Sequence, residues 1–254
     1  MTTATLTPST PRLSRRLGDI VRLHLANPMT VIVVPLLVLT AMFAVMIAIA
    51  LMIVIGTGDS SAAASFSKGF QYSGTSFYIF VYMMVVAVQA MNATFAYALG
   101  LGVTRRDYYL GSAVTWVLFS VAWSILFLVL GAIEQATRGW GMNVRMFTAI
   151  YYGEEPVGRA VIVFCAFLFF FFAGTAAAAV FVRWKALGVT VMLVGLAFVL
   201  VGLGFIVTLT ANWPAVGAWF VASGPLGVAL WSLVLTALLA VAGWALLRRA
   251  TPRG

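Results

Sequence analysis

The stretch TVIVVPLLVLTAMFAVMIAIALMIVI, residues 30–55, holds no charged side chain and a single proline, Pro35. A helix rising 1.5 Å per residue needs about 20 apolar residues to cross a hydrocarbon layer of about 30 Å. This run is longer than that. Pro35 lies near its start, where a missing N–H costs little, and Gly56, Gly58 and Asp59 end it. Five more stretches read the same way, at about 76–99, 112–133, 160–182, 187–210 and 225–247. Of the 254 residues, 63% are hydrophobic and 8% charged, and mean hydropathy is +1.09. Those figures exclude a water-soluble domain, which needs far more polar surface. The expected fold is all-α: a polytopic membrane protein of six transmembrane helices, residues 28–254.

The basic residues orient these spans. With both termini placed in the cytoplasm, eleven of the fifteen Lys and Arg residues fall inside: Arg12, Arg15, Arg16, Arg22, Arg105, Arg106, Arg183, Lys185, Arg248, Arg249 and Arg253. Lys68, Arg138, Arg145 and Arg159 fall outside. That bias is the positive-inside signature. It accounts for the net charge of +9 without nucleic acid, since no aromatic-interleaved basic run or nucleic-acid module occurs. SSAAAS at 60–65 has the small residues of a signal-peptide cleavage site. The apolar run before it is much longer than a signal h-region, so a retained first span is expected.

Ahead of the first span, residues 12–27 place Leu13, Leu17, Ile20, Val21, His24 and Leu25 on one helical face. Arg12, Arg15, Arg16, Asp19 and Arg22 take the other, with Leu23 an exception among them. The pattern predicts an N-terminal amphipathic interfacial helix in contact with membrane lipids. Asn27-Pro28 ends it. Residues 1–11, rich in Thr, Ser and Pro, are expected to be a disordered tail. His24, the only histidine, has no Cys, Asp or Glu companions suited to a metal and is read as an interfacial residue.

Catalytic motifs are missing. The chain has no G-x-x-x-x-G-K-[ST] phosphate loop, no H-E-x-x-H and no G-x-S-x-G, and its spans lack Asp and Glu. No enzyme activity, cofactor or metal site is expected. The single cysteine, Cys165, forms no internal disulfide. Glu134, Glu154 and Glu155 stand among Arg138, Arg145 and Arg159, which reads as a solvated, internally neutralised external loop.

Within the spans, Tyr78, Tyr82, Gln89 and Asn92 fall along one stripe of the second helix. Amides near mid-membrane must meet other helices or water, so the stripe is expected to make interhelical hydrogen bonds or to line a translocation path or subunit contact. Gly188, Gly195 and Gly202 recur every seven residues in the fifth span as a helix-packing seam. AGTAAAA at 173–179 invites the same reading, and FLFFFF at 167–172 reads as packing or lipid-facing bulk.

Between the second and third spans lies FAYALGLGVTRRDYYLGSA, residues 95–113. It resembles the cytoplasmic boundary of the second span in bacterial ABC transporter permeases of the ABC-2 exporter type. IEQATRGWGM at 133–142, with its Glu-x-x-Thr-x-Gly-Trp-Gly pattern, resembles the external loop after the third span in that family. The resemblance implies a permease subunit in the bacterial inner membrane, a homodimer or paired with a second permease, driven by a separate ABC ATPase subunit. It also implies that the loop of Gly102, Val103, Thr104, Arg105, Arg106 and Asp107 docks on that ATPase. Two other readings stay open. An ion-coupled secondary carrier should show an internal repeat or broken helices, and a non-transport assembly or sensor protein would need no ATPase.

Overall fold

Helix α1, Leu13–Leu25, precedes a wide turn at Met29–Val33 and helix α2, Val34–Thr57. Helices α3, Tyr78–Gly100, and α4, Arg105–Ala136, form an antiparallel hairpin, and α5, Pro156–Leu209, and α6, Trp213–Leu247, complete the chain. The computed structural model describes residues 13–57, 69, 72 and 74–249. The tail at 1–11, Arg12, Asp59, the SSAAAS stretch, Lys68 and Arg253 lie outside these. The described residues are all-helical, with no strand. Five helices are long and apolar enough to cross a membrane.

The α3–α4 turn follows from its residues. Gly102, at φ +81°, takes the left-handed conformation that glycine adopts without steric cost. The Gly102 N–H then donates to the Leu99 carbonyl and the Val103 N–H to that of Ala98, closing α3 with a Schellman motif. Thr104 opens α4 two residues later, its hydroxyl accepting from the Asp107 N–H at 3.1 Å. The expected 102–107 loop is therefore shorter: Arg105, Arg106 and Asp107 form the first helical turn.

Helix α5 is the hub, packing on α3, α4 and α6. Aromatic pairs mark its antiparallel run along α4. Trp123 stacks on Phe167 at 5.4 Å and Trp116 on Phe171 at 5.0 Å between centroids. Phe80 of α3 joins Phe167 at 4.5 Å. The FLFFFF run is thus divided, with Phe167 and Phe171 fully in the core. In the small-residue run that follows, a Cβ on Gly174 would lie 2.4 Å from the Met84 carbonyl oxygen. That glycine lets α3 and α5 touch backbone to backbone.

Residues 160–182 and 187–210, expected as separate helices, lie on either side of non-helical backbone at Lys185 (φ +58°, ψ −152°) within the 54-residue α5. A straight helix of that length would extend about 81 Å, more than twice a bilayer core. Residues 211–224 read as an external loop, yet α6 already begins at Trp213 and breaks at Gly224 (φ +60°, ψ 176°), just before Pro225. Pro225 lacks the N–H that would bond four residues back, and Gly224 supplies the turn.

Candidate functional site

Two polar clusters lie at opposite ends of α4, the Arg105 end at its start and the Glu134 end near its close.

At the Arg105 end, α1 lies on the first turns of α4. Ile20 fills the notch over Gly111, where an added Cβ would lie 2.6 Å from the Ile20 Cβ. Arg16 Nη1 pairs with Asp107 at 3.1 Å. His24 is 3% exposed, which corrects its reading as an interfacial residue. Its Nε2 lies 2.8 Å from Ser112 Oγ, and its ring sits 5.1 Å from that of Trp116. Ser112 spends its own proton on the Tyr108 carbonyl, so His24 Nε2 carries the hydrogen and Nδ1 is left as a buried acceptor without a partner. Leu23, the exception on the polar face, packs partly against the core.

Burial lowers the His24 pKa from 6.5 to about 4. The undocked helix therefore takes up a proton near pH 6.5 that the docked helix refuses until about pH 4. The docked state is favoured most above pH 6.5, and its advantage falls by up to about tenfold per unit as pH drops toward 4. Proteolysis within α1 should accelerate from pH 7.5 to 5, and His24→Asn should flatten that dependence. An unchanged slope in His24→Asn would remove His24 as its source.

The 102–107 residues divide in this setting. Gly102 and Thr104 serve the turn, and Asp107 is buried against Arg16. Arg105 is half-buried and donates to the Arg248 carbonyl at 2.9 Å, whereas Arg106 is exposed. Leu101, 65% exposed, forms the tip of the hairpin, and Arg106 lines a groove with Tyr109 and Trp244 beside it.

The stripe on α3 flanks that helix's buried face. Tyr78, Tyr82 and Asn92 are half-buried and Gln89 is exposed. The Tyr78 hydroxyl and Asn92 Oδ1 are buried with no hydrogen-bond partner. In the glycine seam, a Cβ on Gly188 would strike Trp184, but Gly195 and Gly202 face nothing within 4 Å. Among the described residues, side-chain space at these two glycines is unfilled, with Gly195 exposed and Gly202 half-buried.

The Glu134 end holds what sequence reasoning missed. Glu134 is 1% exposed, not part of a solvated loop. Its carboxylate accepts from the N–H groups of Met146 (2.8 Å), Phe147 (3.1 Å) and Thr148 (2.9 Å). The Thr148 hydroxyl and Trp140 Nε1 donate as well. Thr137 accepts from the Trp140 N–H, and Gly139 (φ +68°) is obligatory because a Cβ there would lie 2.6 Å from the Val144 nitrogen. The Glu-x-x-Thr-x-Gly-Trp-Gly pattern is thus the frame of a loop folded around one carboxylate. The loop is tied to the turn that leads into α3 by Ser76, 2.9 Å from the Tyr152 hydroxyl. Burial raises the pKa of both Tyr151 and Tyr152, so the phenols stay protonated.

Beside this loop lies a cavity of about 380 Å³, whose lining includes Glu134, Arg138, Arg145, Thr148, Glu154 and Arg159. Arg159 is 2% exposed. Its Nη2 donates to the carbonyls of Gly153 and Glu154, while its Nε is buried without a partner. No group of three or more His, Cys, Asp or Glu side chains able to hold a metal occurs among the described residues. Comparison with known protein families, curated proteins and solved structures found no match.

Proposed function

We propose that this chain is the membrane-spanning permease subunit of an ATP-driven exporter of the ABC-2 type, in the bacterial inner membrane. It works as a pair, homodimeric or with a second permease, and each pair engages separate ATP-hydrolysing subunits. The observation that carries the reading is the hairpin tip at the Arg105 end. Leu101 and Arg106 are exposed there, in a chain with no phosphate loop of its own. Topology needs basic residues near this turn, but it does not need an exposed leucine beside an arginine. An interface does, since guanidinium groups pair well with carboxylates across one.

In this reading α5 crosses twice, with its break at Lys185 at the cytoplasmic surface, giving six spans and cytoplasmic termini. Helix α1 is the amphipathic helix of that surface, docked on α4. Gln89, exposed at mid-helix, faces the translocation path or the second permease, because an amide facing lipid alone is costly, and Gly195, with no neighbour for an added Cβ, is assigned to the same surface. ATPase capture tests the function: the chain purified from its native membrane should bring a soluble phosphate-loop ATPase with it. An intact permease pair that never associates with one would overturn the reading.

Sidedness gives an independent check. In a Cys165→Ser background, Arg138→Cys should react with an impermeant thiol reagent on intact cells, and Arg106→Cys only after permeabilisation. The reverse pattern would invert the bundle.

A further inference from the structure

We propose that the cavity at the Glu134 end binds a phosphate-bearing ligand, held by Arg145, Arg159 and Arg138. Three guanidiniums line it against two carboxylates, Glu134 and Glu154. Glu134 is committed to donors from Trp140, Met146, Phe147 and Thr148. Among the described residues, no carboxylate oxygen lies within 4 Å of any of the three guanidiniums. Glu134 and Glu155 attract Arg159 from a distance, and Arg145 repels it.

The lining itself holds one more cationic than anionic side chain, and one of its cations has a fixed position. Arg159 is fixed in place by the Gly153 and Glu154 carbonyls. Like charges facing one cavity are costly, and an oxyanion bound among the three guanidiniums relieves that cost. Phosphate suits the site better than carboxylate because it offers three oxygens to donors arriving from three separate arginines. Thr148 adds a polar group to the lining. At about 380 Å³, the cavity also exceeds what inorganic phosphate fills and accommodates a small organic phosphate or a lipid headgroup.

The experiment uses the full chain purified in a neutral detergent. Binding of glycerol phosphate is measured by calorimetry at constant ionic strength, and binding of phosphatidylglycerol against phosphatidylcholine by native mass spectrometry. Saturable binding of glycerol phosphate supports the site with a soluble ligand. Preference for phosphatidylglycerol without glycerol phosphate binding supports it with a lipid headgroup. In either case Arg145→Gln should weaken binding roughly tenfold or more, and Arg145→Lys should keep part of it. Arg138→Gln, at an exposed position, serves if Arg145→Gln fails to fold. Wild-type chain that binds neither probe would overturn the proposal. So would wild-type affinity in a folded Arg138→Gln, Arg145→Gln double variant.

Discussion

Replacing Glu134 with glutamine is expected to lower the melting temperature by about 10 °C and to open the loop at 139–153 to protease. The carboxylate accepts from three backbone N–H groups, a hydroxyl and an indole. Charge-assisted hydrogen bonds contribute about 1.5–3 kcal/mol each, and losing a buried acceptor strands its donors. Glutamine keeps the shape but turns an NH₂ toward groups that are already donors. A loss of about 3–5 kcal/mol follows, and at about 2–4 °C per kcal/mol for a chain of this size that gives the stated shift. Glu154→Gln, at an exposed position, should change stability by less than about 0.5 kcal/mol. Equal effects from the two variants would mean that Glu134 does not organise the loop.

A comparable effect is expected at Gly174. A Cβ there would lie 2.4 Å from the Met84 carbonyl oxygen and 3.1 Å from the Ala87 Cβ. The first obstacle is backbone, so it cannot rotate away. Gly174→Val must push α3 off α5, at a cost of about 3 kcal/mol or more, the upper part of the range for overpacking. Gly174→Ala should show the same sign at a smaller size. Gly195→Val is the control, because its Cβ meets nothing within 4 Å. It should leave the single-chain fold intact, and a loss of pairing in that variant would place the seam between two copies. If Gly174→Val melted like wild type, the α3–α5 contact would be looser than described.

Much of the fold was legible because membrane burial leaves a coarse signal. Runs of about 20 apolar residues and the bias of Arg and Lys are set by the solvent, not by detailed packing. What composition could not convey was the partner of each polar residue. His24 reads as interfacial from its neighbours in sequence, and only the notch at Gly111 and the Ser112 hydroxyl 88 positions away explain its burial. Glu134 looked neutralised by nearby arginines, yet backbone N–H groups hold it, and backbone groups carry no sequence code. The break at Lys185 was legible from the charged Arg183 and Lys185 between two apolar runs, but its backbone conformation was not, since neither glycine nor proline marks it. In the 102–107 stretch, Gly102 and Thr104 turned out to be turn and cap chemistry and Asp107 an internal ion-pair partner. That narrows the docking surface to Leu101, Arg106 and the half-buried Arg105.

The most direct measurement of the account's central claim is ATPase co-purification with three forms of the permease: wild type, Arg105→Glu with Arg106→Glu, and Arg105→Lys with Arg106→Lys. Thiol labelling at residue 138 in each sample checks insertion. Close charge pairs at interfaces are worth about 1.5–7 kcal/mol, so the glutamate form should lose at least about tenfold in captured ATPase. The lysine form, charged but without the planar fork, should fall between. A correctly inserted glutamate form that captures as much ATPase as wild type would contradict docking through this hairpin.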